Sequence, residues 1–124
     1  MKLQPDKFDV QAITGYGSGW IALNGEKITT SLVVGSRGER FDWACDRFSA
    51  LTQAHFDQLA DLDVELVLFG SGLRLHFPQP AWLAKLASRR IGIETMDTAA
   101  ACRTYNILAS EGRHVVAALL VETP

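Results

Sequence analysis

Residues 64–70 read VELVLFG and are apolar at almost every position. A strand with one face in water alternates apolar and polar residues, so this nearly unbroken apolar run predicts a strand that is covered on both faces. Such strands belong to sheets that carry helices on both sides. We therefore expect helices and further strands to alternate around residues 64–70.

The flanking sequence agrees with this expectation. Residues 52–62 place apolar side chains at helical spacing, and a second helix begins at Pro80, with Gly92 as its C-terminal cap. Two more apolar strands, residues 91–96 and 113–122, flank a third helix that begins near Asp97. The second half thus reads β-α-β-α-β, which predicts a mainly parallel or mixed sheet with helices against it. The strand order stays open.

The first half has strand and turn signals instead. Asn24-Gly25 is the preferred pair for a two-residue type I′ turn, and it lies between WIAL at 20–23 and EKITTSLVV at 26–34. We predict a β-hairpin here, with both flanking runs as its strands. This hairpin would add antiparallel strands at an edge of the main sheet or as a separate layer.

Composition restricts the possible partners. The chain has 124 residues, a formal net charge of -2 and a mean hydropathy of +0.07. The basic residues form no stripe, which disfavours a nucleic-acid partner. The N-terminal stretch MKLQPDKFDV is charged, and the longest aliphatic run, 115–121, is too short to span a bilayer. We expect a cytoplasmic protein without membrane insertion.

Metal and cofactor sites are not expected either. Cys45 and Cys102 form no CxxC pair, and the three histidines have no ligand spacing, which disfavours a zinc or thioredoxin-type site. GYGSG at 15–19 precedes a strand, where a dinucleotide-binding loop would precede a helix, so we interpret its glycines as bulge or turn residues. We predict no catalytic residue, no metal and no cofactor.

The segment MDTAAACRTYN at 96–106 predicts a capped helix. Asp97 or Thr98 supplies the N-cap oxygen. Helical spacing places Cys102 and Tyr105 among the core positions, which favours a buried thiol and a core aromatic over a nucleophile and a proton donor. Arg103 and Asn106 lie on the adjacent polar side, where a solvated face and a binding role are both open.

A glycine turn suggests where a ligand would bind. Gly70-Ser71-Gly72 follows the buried strand, and the helix beginning near Asp97 also follows a strand, so both should face the crevice at the carboxyl ends of the sheet. A carboxylate or phosphate would fit there, although a tight turn explains the glycines equally well. The predicted binding patch consists of Gly70, Ser71, Gly72, Asp97, Thr98, Arg103 and Asn106.

The stretches VELVLFGSG, GIETMDTAAACRTYNILASEGR and VVAALLV together resemble the Mth-type domain family, a family of unknown function. The resemblance covers essentially the whole chain. It implies a single α/β domain over residues 1–124, with three layers: a mixed central sheet flanked by helices, and an additional N-terminal β-hairpin layer. The family includes a mitochondrial assembly factor for respiratory complex I and an adipogenesis-associated protein, and it implies no catalytic residues.

Two functional hypotheses follow. The first is a protein-interaction or assembly factor with a protein partner, by family analogy for a membrane respiratory complex. The second is a small-molecule anion binder, or a cryptic enzyme, that uses the crevice near Gly70–Gly72 with Arg103, and with Cys102 or Tyr105 for chemistry. A homodimer is a further alternative, because strand edges or Ile107 would need cover.

Overall fold

The computed structural model describes residues 10–122 of the chain. The strands are β1 (Ile13–Gly17), β2 (Trp20–Leu23), β3 (Glu26–Ile28), β4 (Leu32–Gly35), β5 (Arg40–Asp42), β6 (Leu66–Gly70), β7 (Gly92–Met96) and β8 (Val115–Leu119). The helices are α1 (Gln53–Ala60), α2 (Ala84–Ser88) and α3 (Thr98–Ser110), with 3-10 turns at Phe48–Ala50 and Pro80–Leu83. The charged N-terminal stretch falls almost entirely outside the described residues, and the single domain over residues 1–124 stays a prediction.

The main sheet is mixed, as predicted. Its order is β5-β4-β8-β6-β7, with β6 parallel to both β7 and β8 and with β4 antiparallel to both β5 and β8. The strand predicted from VELVLFG is β6, which lies next to the central strand β8. Residues 67–70 are buried, as a strand covered on both faces requires.

Two apolar clusters cover the two faces of this sheet. On one face, Val67 and Phe69 pack with α1, α2 and Trp43, whose ring centroid lies 5.9 Å from those of both Phe56 and Phe69. On the other face, Leu68 packs with α3 and with the small sheet formed by the first three strands. The result is the predicted three-layer α/β arrangement.

The hairpin is confirmed, but one of its strands is shorter than predicted. Asn24 and Gly25 both have positive φ, at 51° and 87°, as a type I′ turn requires. β1 pairs with β2, so the additional layer is a three-stranded sheet. The prediction of one strand over 26–34 is wrong: the run divides into β3 and β4, which belong to different sheets. The chain crosses between the layers at Ser31, a buried residue whose hydroxyl accepts a hydrogen bond from Val121 N at 2.9 Å.

The helix predicted from Pro80 is also different in detail. Pro80 opens a 3-10 turn, and the α-helical part begins at Ala84 and is five residues long. Gly92 does not cap it. Arg90 takes the positive φ of 59°, and Ile91 N donates to Leu86 O at 3.0 Å, which closes the helix. Gly92 is instead the first residue of β7, where it pairs with Leu66.

We expect Glu39 to contribute to the stability of the fold in a way that depends on pH. This residue connects the β4–β5 turn to the start of β8. Its carboxylate bonds to His114 Nε2 at 2.7 Å and accepts from Arg37 N at 3.1 Å. Burial raises the pKa of Glu39, but these hydrogen bonds outweigh it and hold the pKa below the ordinary value of 4.5. The folded state therefore favours the charged form, so Glu39 stabilises the fold above pH 4.5 and loses this effect as the pH falls.

Urea unfolding of the wild type and of Glu39→Gln, at about pH 3 and pH 7, measures this contribution. We expect the substitution to destabilise the protein more at neutral pH than in acid. An equal loss of free energy of unfolding at both pH values would contradict this role of Glu39.

Candidate functional site

Two loops meet where the parallel strands β6 and β7 end. Ser71 N donates to Met96 O at 2.8 Å, and Thr98 N donates to Gly72 O at 2.9 Å. Because parallel strands end at the same edge of a sheet, the glycine turn and the N-terminal end of α3 lie side by side. Five members of the predicted patch are brought together here: Gly70, Ser71, Gly72, Asp97 and Thr98.

Thr98 holds this junction together with its side chain. Its Oγ1 donates to Leu120 O at 2.7 Å and accepts from Gly72 N at 2.9 Å. Gly70 allows the start of α3 to approach β6 closely, because a Cβ at position 70 would lie 3.0 Å from Thr98 Cα. Gly72 has a φ of 106°, in the left-handed region that favours glycine. The glycines of the turn are thus explained by packing and backbone conformation.

Ser71 shapes the loop that follows. Its fully buried hydroxyl donates to Arg74 O at 2.7 Å and accepts from His76 N at 3.0 Å. The His76 ring also stacks on Phe48, with ring centroids 4.9 Å apart. We call residues 73–77 the apolar loop, because it exposes three large apolar side chains: Leu73 at 48%, Leu75 at 52% and Phe77 at 67%.

A cleft of about 300 Å³ lies beside the junction, between the β1–β2 turn and the N-terminal end of α3. Aromatic and aliphatic side chains form much of its wall, among them Tyr16, Trp20 and Leu73. Gly72, Asp97 and Thr98 are the members of the predicted patch that line it. Gly70 and Ser71 are buried and do not line it.

Asp97 and Glu122 are the charged residues in the lining of the cleft. Asp97 caps α3, with Oδ1 accepting from Ala100 N at 2.8 Å. The oxygens of Glu122 accept from Leu73 N at 2.9 Å and from Phe48 N at 3.1 Å. The geometry disfavours a carboxylate or phosphate ligand for two reasons. The two carboxylates in the wall repel an anion, and the Gly72 N–H already donates to the Thr98 hydroxyl.

Arg103 and Asn106 connect α3 to β1 and do not line the cleft. Arg103 Nη1 donates to the Tyr16 hydroxyl at 2.9 Å, and its guanidinium lies 5.8 Å from the centroid of that ring. Asn106 bonds the backbone of Ile13 twice: Oδ1 accepts from Ile13 N at 2.9 Å, and Nδ2 donates to Ile13 O at 2.7 Å. Arg103 acts on the cleft through Tyr16, and its positive charge also interacts with Asp97.

The sequence reasoning missed three features of this site. Glu122 follows the last strand, and nothing in the local sequence marks its carboxylate as a partner of two distant loops. The apolar loop was not singled out, although Leu73, Leu75 and Phe77 alternate with polar residues. The glycines at 15–19 were interpreted as bulge or turn residues: Gly15 and Gly17 lie in β1, where the register shifts between Ile13 and Gly15, and Gly19 lies in the β1–β2 turn. The role of this segment as one wall of the cleft was not predicted.

Cys102 and Tyr105 are buried in the core. Burial raises the pKa of the Cys102 thiol to about 12, so at neutral pH it is protonated and a poor nucleophile. The Tyr105 hydroxyl donates to Gln11 O at 2.7 Å, and burial raises the pKa of this group as well. Both side chains have the environment of structural residues.

Thiol labelling tests this environment directly. In the native protein we expect the partly exposed Cys45 to react with a thiol reagent first, and Cys102 to react only after unfolding, because reagent and water cannot reach it. Cys45→Ser should therefore leave a chain that labels slowly in buffer and normally in denaturant. Rapid labelling of native Cys45→Ser would restore Cys102 as a candidate nucleophile.

Within residues 10–122, no three or more His, Cys, Asp and Glu side chains are grouped so as to hold a metal ion. Over this part of the chain, no helix is long and apolar enough to cross a membrane.

Comparison with known proteins identifies the family. Residues 13–120 match the family described as protein of unknown function (DUF498/DUF598). The chain belongs to this family. A solution structure from Bordetella pertussis, described as a Mth938-like domain, is 32% identical, with a TM-score of 0.82 over 99% of this chain and 94% of that one. This confirms the resemblance to the Mth-type domain family.

Two other similar proteins are informative. A crystal structure of a Bordetella parapertussis protein is 36% identical, with a TM-score of 0.84 over 90% of this chain and 96% of that one. Among curated proteins, NADH dehydrogenase (ubiquinone) 1 alpha subcomplex assembly factor 3 of Bos taurus is 30% identical over 110 residues. The match covers 87% of this chain but only 59% of the bovine protein.

Proposed function

We propose that this chain is a protein-interaction or assembly factor, and that a partner docks on the surface formed by the cleft and the apolar loop. The observation that carries the proposal is the exposure of Leu73, Leu75 and Phe77 on one short loop. Clustered exposed apolar side chains are typical of interaction sites. Because Ser71 and Glu122 already hold the loop backbone, less conformational entropy is lost on binding.

The family supports the same proposal. The bovine relative is named as an assembly factor of an NADH dehydrogenase. By analogy, we propose that the partner of this chain is a subunit of a membrane respiratory complex, although this chain spans only 59% of that relative's length. A cytoplasmic location and a homodimer stay predictions.

The predicted patch has distinct parts in this proposal. Gly70, Ser71 and Thr98 shape the junction beneath the surface, and Asn106 attaches β1 to α3. Gly72, Asp97 and Thr98 line the cleft. Arg103 positions Tyr16, which contributes an aromatic wall. Residues of the apolar loop would make the main contacts with the partner.

Crosslinked affinity purification from a native lysate with solubilised membranes tests the proposal. We expect the wild type to retain specific partners and Leu75→Ser/Phe77→Ser to lose them, because the double substitution removes the exposed apolar contacts. Ile107→Ser is the matched control. Ile107 is 57% exposed, which lies between the exposures of Leu75 and Phe77, but it lies outside the cleft and the apolar loop.

All three proteins should retain the same unfolding midpoint, since these residues are exposed. Recovery of respiratory-complex subunits with the wild type and with Ile107→Ser, but not with the double variant, is the expected result. Identical sets of partners for the double variant and the wild type would overturn the proposal.

A further inference from the structure

The cleft has a charge pattern that specifies its occupant more closely. Its charged lining residues, Asp97 and Glu122, are both acidic, and they come from different elements: the start of α3 and the segment after β8. No basic residue is present among the described residues that line it. The remaining wall is largely apolar or backbone, so the cleft combines a hydrophobic surface with negative charge.

The aromatic residues of the cleft favour the same kind of group. Lys27 Nζ lies 5.3 Å from the ring centroid of Trp20, and the Arg103 guanidinium lies 5.8 Å from that of Tyr16. A cation of this chain thus already occupies a face of each ring, so the attraction for a bound cation comes from the two carboxylates, and the rings supply apolar surface. Carboxylates close to aromatic surface suit a group that has an apolar stem and a cationic tip, which lysine and arginine side chains provide.

The size of the cleft is compatible with one side chain as the occupant. Its volume of about 300 Å³ is at the lower end of the range of ligand pockets. Leu73 belongs both to the cleft and to the apolar loop, so the two surfaces are continuous. An extended segment can therefore place one residue in the cleft while an apolar residue two positions away, on the same face, contacts Leu75 and Phe77.

We propose that the cleft binds a lysine or arginine side chain, presented by an extended partner segment whose residues two positions away on either side are apolar. This inference rests on the proposed interaction function and specifies the chemistry of its partner. The apolar loop supplies contact area, and the two carboxylates select the cationic residue and reject an acidic one.

Peptide titrations monitored by ¹H–¹⁵N spectra test the inference with defined probes. The first is acetyl-Leu-Ala-Lys-Ala-Leu-amide, the second has Glu in place of Lys, and hexylammonium chloride is the third. We expect the lysine peptide to shift the amide signals of Gly72, Leu73 and Ala99 and the indole signal of Trp20 in a saturable way. The glutamate peptide should leave these signals unchanged at the same concentrations.

Asp97→Asn is the matched variant, because asparagine caps a helix as well as aspartate does and removes only the charge. We expect this substitution to weaken the binding of the lysine peptide about two- to fivefold, which is the range for one partly exposed ion pair. Glu122→Gln should act in the same direction, which keeps the test valid if either variant is poorly folded.

Several results would overturn the inference: equal binding of the two peptides, preference for the glutamate peptide, no binding of either, or unchanged affinity in both variants. Binding of hexylammonium without the lysine peptide would identify a small-amine site instead and would also overturn it. These failures are distinct from failure of the interaction function, because loss of partners by Leu75→Ser/Phe77→Ser would still support docking on the apolar loop.

Discussion

Thr98→Val is expected to lower the free energy of unfolding by about 2–4 kcal/mol, because it leaves two partly buried hydrogen-bonding groups unpaired, each at the lower part of the range of about 1–3 kcal/mol for a fully buried group. Valine has nearly the shape of threonine, so packing changes little. The groups left unpaired are Leu120 O and Gly72 N, both of which bond to Thr98 Oγ1. Denaturant unfolding monitored by circular dichroism measures the difference.

Thr98→Ser is the matched control, because it keeps the hydroxyl and loses only a methyl group. We expect it to retain most of the stability that valine removes. If the valine variant is as stable as wild type, or if serine destabilises more than valine, the hydroxyl does not hold the junction as described.

Gly70→Ala is expected to destabilise the fold by about 1–3 kcal/mol through overpacking. The added Cβ would lie 3.0 Å from Thr98 Cα and 3.1 Å from Leu119 Cδ2. The first of these atoms is backbone, so relief requires the start of α3 to move away from β6. This movement should also change the amide signals of Gly72 and Ala99, which line the cleft.

Gly92→Ala on the neighbouring strand β7 is the control for this substitution. Its Cβ would lie 3.4 Å from Leu66 Cδ1, an ordinary contact with the end of a side chain. We expect little loss of stability and no change at the cleft. Equal effects of the two alanines would show that glycine at position 70 is not required by the approach of α3.

The elements that followed from the sequence are those set by local signals. Asn24-Gly25 predicted the hairpin because only a few residues tolerate two successive positive φ angles. The apolar run at 64–70 predicted a doubly covered strand, and Asp97 predicted the cap of α3. Strand order did not follow, because β4 and β8 pair across about 80 residues of chain.

The candidate site was only partly predictable for the same reason. Gly72, Asp97 and Thr98 could be placed near each other because adjacent parallel strands end together. The polar side of α3 was interpreted as open to a ligand, yet Asn106 bonds the backbone of β1, and Arg103 bonds Tyr16. The contacts of Glu122 depend on tertiary structure, since its partners Phe48 and Leu73 are distant in sequence.

Site-specific photocrosslinking tests most directly whether a partner docks on the apolar loop. A benzophenone amino acid replaces Phe77 in one protein and Ile107 in another, and both are irradiated in the native lysate. We predict discrete adducts at position 77 and none of these adducts at position 107. An excess of wild-type chain should suppress the adducts at position 77, and an excess of Leu75→Ser/Phe77→Ser chain should not. The same adducts at both positions, or none at position 77, would contradict the account.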